Sequence, residues 1–211
     1  MDGWMHNWSF KWITNWDEIW SDGFQAQWHG WMEQSSASHV FFHPALARAW
    51  VETYFPLRNI RPLFLVARHD DLTVFLPLVL WQRNWKQVFL REIVPVGHSD
   101  YDYHDPIIIG PLEKFNPEKF WVALVAALRS LKITFDRLTV SGITERFAGT
   151  SENWSEDEVC PYCDISIFEK PEDFLPTLGK SLRGALQRQI RRLEEQGSFK
   201  YHAYSAENLD D

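Results

Sequence analysis

Tryptophan recurs at every fourth position near the start of this chain, at Trp4, Trp8, Trp12, Trp16 and Trp20, and Trp28 and Trp31 continue the series. A step of four lies close to the 3.6-residue helical repeat, so successive indoles drift by about 40° and cover a broad stripe on one side of a helix. The spacing predicts a helix of about 15 to 20 residues laid on a sheet. A partner-binding or membrane-surface helix is the alternative use of such a stripe. Asp17, Glu18 and Asp22, with Lys and Arg scarce around them, argue against an anionic lipid surface.

The rest of the chain alternates between the two periodicities. Residues 43–55 open on His43-Pro44, with proline near the first helical position, and Pro56 is the expected stop. The β-rich runs 63–68 and 72–78 flank His69-Asp70-Asp71 and predict a hairpin. Further strands are expected through 88–94 and 137–140, with an apolar piece at 107–109 ending on Gly110-Pro111. Helical spacing returns over 115–131, and residues 148–158 are polar and acidic, the composition of a loop. A strand over 163–168, a short helix from Pro171, a long helix over 180–196 closed by Gly197, and a last strand over 199–204 complete the expectation. Two large domains are improbable in 211 residues, because a chain of this size buries roughly 70% of its unfolded surface around a single core or little more.

Composition then removes whole classes of function. With 21 basic and 29 acidic residues the net charge is −8, so general coating of DNA or other nucleic acid lacks its electrostatic drive. Two cysteines cannot form a disulfide framework, and the first residues lack the basic, then apolar, run of a signal peptide, which points to the cytoplasm. The longest apolar stretches, 72–81 and 121–128, fall far short of the ~18 residues that span a bilayer.

Three constellations could carry chemistry. Cys160-Pro161-Tyr162-Cys163 has the bare spacing of a thiol oxidoreductase motif, but an acidic loop precedes it and a strand follows, where the chemistry needs a helix start to lower the thiol pKa. No second ligand pair accompanies it to complete a zinc site. The segment His98-Ser99-Asp100-Tyr101-Asp102-Tyr103-His104-Asp105-Pro106 is dense in titratable groups. If extended, it would set Asp100, Asp102 and His104 on one face as a metal or acid–base site; otherwise it is a pocket wall or a set of solvated turn residues. Third, Lys180, Arg183, Arg188, Arg191 and Arg192 lie off the apolar stripe Leu182, Leu186, Ile190 and Leu193 of the last helix. They suit either an anion such as a phosphate or a solvated face. Glycine-rich phosphate loops of the GxGxxG, GxxxxGK[ST] and [RQ]xxGx[GA] types are absent.

Four phrases in order, His43-Pro44-Ala45-Leu46-Ala47-Arg48-Ala49-Trp50, Phe75-Leu76-Pro77-Leu78, Ser99-Asp100-Tyr101 with Asp105-Pro106, and Cys160-Pro161-Tyr162 followed by residues 180–197, carry a family likeness. Together they resemble the N-terminal half of the tandem-GNAT acyltransferases associated with cellulose and exopolysaccharide biosynthesis, relatives of the Fem-type aminoacyltransferases. The resemblance implies an α/β lobe with a mixed, mainly antiparallel sheet flanked by helices over 1–168, and the first helix and strand of a second, acetyltransferase lobe over 169–211. It implies acyl-CoA, such as acetyl-CoA, as donor and an amine as acceptor, with no metal. Asp100, Tyr101, Asp105 and Arg183 become the candidates for the substrate cleft, and the catalytic base stays unassigned. The strand and helix that hold the cofactor diphosphate in such enzymes are expected beyond Asp211, which makes the chain a shortened member, inactive alone unless a partner chain completes it. A non-enzymatic partner-binding or self-associating module is the alternative, and a thiol oxidoreductase a third.

Overall fold

The sheet of this protein begins where a helix was expected. A computed structural model describes residues 8–85, 88–150, 154–155 and 167–198. Trp8 and Trp12 flank and enter strand β1 (Ser9–Ile13), Trp16 opens the single turn α1 (Trp16–Ile19), Trp20 follows it, and Trp28 and Trp31 lie in a separate helix. The continuous tryptophan helix is therefore wrong for the described residues, and the reason is arithmetic: a step of four is also a multiple of two. Trp8, Phe10 and Trp12 share one side of a pleated strand as readily as one side of a helix, and Phe10 and Trp12 stack with centroids 6.4 Å apart. Asn15 then starts α1 by accepting from the Asp17 amide (2.8 Å), and Ser21 starts α2 (Asp22–Gln34) by accepting from Phe24 (3.3 Å).

Next comes α3 (Pro44–Arg58), capped by the His43 ring, whose Nδ1 accepts from the Ala45 amide at 3.2 Å. Pro56 does not stop it. In the last turn its missing N–H forfeits a single bond, and the helix runs on to Asn59, which closes it in the left-handed conformation at φ 48°. The expected hairpin follows as β2 (Arg61–His69) and β3 (Leu72–Trp85); His69 pairs with Leu72, so it belongs to the ladder and not to the turn. Strands β4 (Val88–Pro95) and β5 (Ile107–Ile109) both run antiparallel to β3 along its other edge. Helix α4 (Pro117–Ser130) then crosses to β6 (Arg137–Leu138), which pairs in parallel with β4. The sheet order β1-β2-β3-β4-β6 makes an open, mostly antiparallel sheet flanked by helices, the mixed α/β class expected from the sequence.

Register explains how the two faces are filled. Ile13, Phe64 and Pro77 align across three strands, as do Lys11, Val66 and Phe75, so they share a face. Helix α2 places Phe24, Trp28 and Trp31 on that face, with Trp28 at 5.6 Å from Phe64 and 5.0 Å from Phe75. Trp50 of α3 stacks on Trp81 at 5.5 Å farther along the same face. The opposite face meets α4, where Phe120 packs edge-on against Trp8 at 5.2 Å and the Trp121 Nε1–H donates to the Phe147 carbonyl at 2.7 Å. Phe147 belongs to the short α5 (Glu145–Ala148).

The chain divides into two compact units, Met1–Ser155 and Glu156–Asp211. In the second, α6 (Pro171–Phe174) precedes α7 (Lys180–Gln196), whose bounds coincide with the sequence expectation. Gly197 ends α7 at φ 148° with its N–H on the Glu194 carbonyl. The strand expected over 199–204 and most of that over 163–168 lie outside the described residues.

Candidate functional site in the excursion between β4 and β5

Strands β4 and β5 are two parts of one edge. Pro95 lies opposite Leu78 and Ile107 opposite Phe75, so residues 96–106 leave the sheet while β3 advances only through Leu76 and Pro77. Proline is what makes the departure cheap. Pro77 has no N–H for that edge to satisfy, and its carbonyl is met by the Val96 amide at 2.8 Å. The titratable cluster singled out in the sequence is this excursion.

Its first half is a tight turn locked onto α3. The amides of Asp100 and Tyr101 both donate to the Gly97 carbonyl, at 2.8 and 2.9 Å. Gly97 sits at φ 88° beneath the Tyr101 ring, so close that a Cβ there would lie 1.8 Å from a ring carbon. The Tyr101 hydroxyl donates to the Leu46 carbonyl (2.8 Å), and Asp100 Oδ2 accepts from Trp50 Nε1 (2.7 Å). Asp100 also holds the Tyr54 hydroxyl, which raises that phenol above its ordinary value. Burial, reinforced by Asp100, pushes Tyr101 up to about 12. Tyr101 is thus a fixed donor and not a base at neutral pH.

The second half is buried against residues 139–144. His104 is 1% exposed; its amide donates to the Gly142 carbonyl and its Nδ1–H to the Ser141 carbonyl, both at 2.8 Å. A carbonyl can only accept, so the ring proton is on Nδ1. Burial drives His104 down to about 4 against the opposing pull of the Ser141 and Gly97 carbonyls. Asp105, 6% exposed, receives the Thr144 amide on Oδ1 (2.8 Å) and the Thr144 hydroxyl on Oδ2 (2.9 Å). Burial raises its pKa and the two Thr144 bonds offset part of the rise. The His39 Nε2–H reaches the Asp105 carbonyl at 3.1 Å, and burial lowers His39 too.

The segment is therefore neither an extended strand with Asp100, Asp102 and His104 on one face nor a solvated turn. Asp100 and Asp102 are exposed, whereas His104 and Asp105 are interior. Of the four candidates, Asp100, Tyr101 and Asp105 come together in the excursion. Arg183 is in the second unit, exposed on α7, with Nη1 3.4 Å from the Pro176 carbonyl. Among the described residues no group of three or more His, Cys, Asp or Glu is placed to hold a metal ion. Cys160 and Cys163 lie outside the described residues.

Two features went unread in the sequence. His39 is a half-buried partner of the excursion, and its only sequence signal is proximity to aromatic residues. Second, β4 and β6 are joined by two ion pairs: Arg91 grips Asp136 at 2.9 and 3.1 Å, and Arg137 binds Glu92. Glu92 is 1% exposed, and its presence within the apolar strand 88–95 was the available clue.

The chain matches no protein-family model, no curated protein and no solved structure. Among the described residues no helix is long and apolar enough to cross a membrane.

Proposed function

We propose that this chain is the acceptor-side lobe of an acyl-CoA-dependent N-acyltransferase, cytoplasmic, and dependent on a completing lobe or partner chain for the acyl donor. The observation that carries this reading is how the helices of the first unit begin. A diphosphate is held by open amides at a helix start. Here Asn15, Ser21, His43 and Asn116 each accept from one first-turn amide of α1, α2, α3 and α4, while the four-residue α5 starts at Thr144 without a side-chain cap. In the second unit, α7 starts at Gly179 with no side-chain cap. The first unit thus favours an acceptor over acyl-CoA. Its exposed carboxylates, Asp100 and Asp102, suit an amine that arrives as an ammonium ion.

Sheet order supports the same reading: five antiparallel strands followed by a helical crossover into a sixth that pairs in parallel suit the lobe that the four sequence phrases resemble. In the reaction, the ammonium would first give up one proton, the free amine would attack the thioester carbonyl, the thiolate of CoA would leave, and the nitrogen would lose its second proton to a base as the neutral amide forms. Asp100 would orient the ammonium before the first proton departs, and Tyr101 would hold the turn that presents Asp100.

A titration with a panel of primary amines at fixed ionic strength, read on the Trp50 indole N–H resonance, tests the assignment. The expected result is a saturable shift with at least one amine that Asp100→Asn weakens about five-fold or more. An unchanged response in Asp100→Asn would remove Asp100 from the acceptor site. The second reading, a self-associating module, is favoured by Leu182, Ile190 and Leu193 of α7, each about half exposed. Light scattering that shows only monomer at high concentration would dispose of it.

A further inference from the structure

Away from the excursion, α1 and α3 enclose an open groove of about 300 Å³ lined by Trp16, Trp20, Val51, Glu52 and Phe55. We infer that this groove binds a small, weakly hydrated organic cation of the quaternary ammonium class, with Arg48 as its intramolecular competitor. The inference stands apart from the acyltransferase reading and does not depend on it.

The floor is aromatic. Trp16 and Trp20 stack in parallel, with centroids 5.6 Å apart and planes 3° apart, and Phe55 across the groove is 48% exposed. Ring faces carry negative charge density and attract cations that shed water easily. The Trp20 ring already draws one: the Arg48 guanidinium sits over it at 5.6 Å. Its second anchor is Glu52 at 2.8 Å, a pair of adjacent helical turns in which both side chains are more than half exposed. Such a pair contributes little and exchanges readily.

Charge completes the argument. Glu52 lines the groove, and Asp17 and Glu18 of α1 lie beside it on the sequence of its wall; Lys11 pairs with Glu18 at 3.2 Å. An anionic ligand would face Glu52, and an uncharged apolar one would strip water from it without return. A quaternary ammonium group presents methyl carbons to the rings and Val51 and a positive charge to Glu52, and it has no N–H groups to leave unbonded. A groove of this volume fits a small head group.

The test uses choline, with the uncharged tert-butyl analogue of choline as control, titrated into the protein at matched ionic strength. The readout is the Trp16 and Trp20 indole N–H resonances, assigned by single Trp→Phe variants. Choline is expected to shift both saturably, and the analogue to bind at least several-fold more weakly. Arg48→Gln removes the competitor and is expected to tighten choline binding about three- to five-fold. Phe55→Ala, at a half-exposed position that leaves the core intact, is expected to weaken it. No shift up to about 100 mM choline, equal binding of the analogue, or unchanged or weaker binding by Arg48→Gln would each overturn the proposal.

Discussion

At the scale of single residues, His104 ties the excursion to pH. The folded protein refuses its proton until about pH 4, whereas the unfolded chain takes it near 6.5, so between those values the unfolded state binds more protons. Stability from this group is therefore complete above pH 6.5 and lost as pH falls toward 4. Between about pH 7 and pH 5 the loss is on the order of 2 kcal/mol. His39 and His43 shift in the same direction, and Asp105, raised by burial, opposes them only in its own lower window. Urea unfolding at the two pH values should show His104→Gln with a shallower acid loss than the parent protein; equal losses would place the acid sensitivity elsewhere. Gly97 makes a second prediction at this scale. Gly97→Ala meets both a positive φ and the Tyr101 ring, and should cost about 2–4 kcal/mol in thermal or urea unfolding. If the ring contact is the larger cause, adding Tyr101→Ala should recover part of the loss, and full additivity of the two changes would refute that cause.

At the scale of elements, the parallel pair β4 and β6 carries two ion pairs of unlike worth. Arg91 and Asp136 are both open to solvent, which screens the pair, so Arg91→Ala should cost little. Arg137→Ala strands the interior Glu92 carboxylate and should cost on the order of 3 kcal/mol, unless Glu92 is replaced at the same time. Similar losses from the two variants would contradict the difference in burial. What the sequence reveals of such elements follows from how local their causes are. Helix α7 was legible to the residue because its apolar spacing and Gly197 are local signals, and the hairpin was legible from its β-branched runs. The tryptophan series misled because its step serves both periods, and Asn15 and Ser21, which split it, look like ordinary polar residues until the caps form. The site was legible as a dense segment, but not as half exposed and half interior. That division depends on Gly142, at φ 63°, whose missing Cβ lets Asp102 and His104 approach from a distant part of the chain.

At the scale of the whole molecule, the proposed function separates acceptor from donor. In the first unit side chains cap the starts of α1 to α4, and the sheet opens on an excursion that offers two exposed carboxylates. On the proposed function, this unit receives a cation and the anionic cofactor binds elsewhere. Calorimetric titration of this chain alone with acetyl-CoA tests that separation most directly. No saturable binding is expected at micromolar ligand; a stoichiometric micromolar isotherm would overturn the separation.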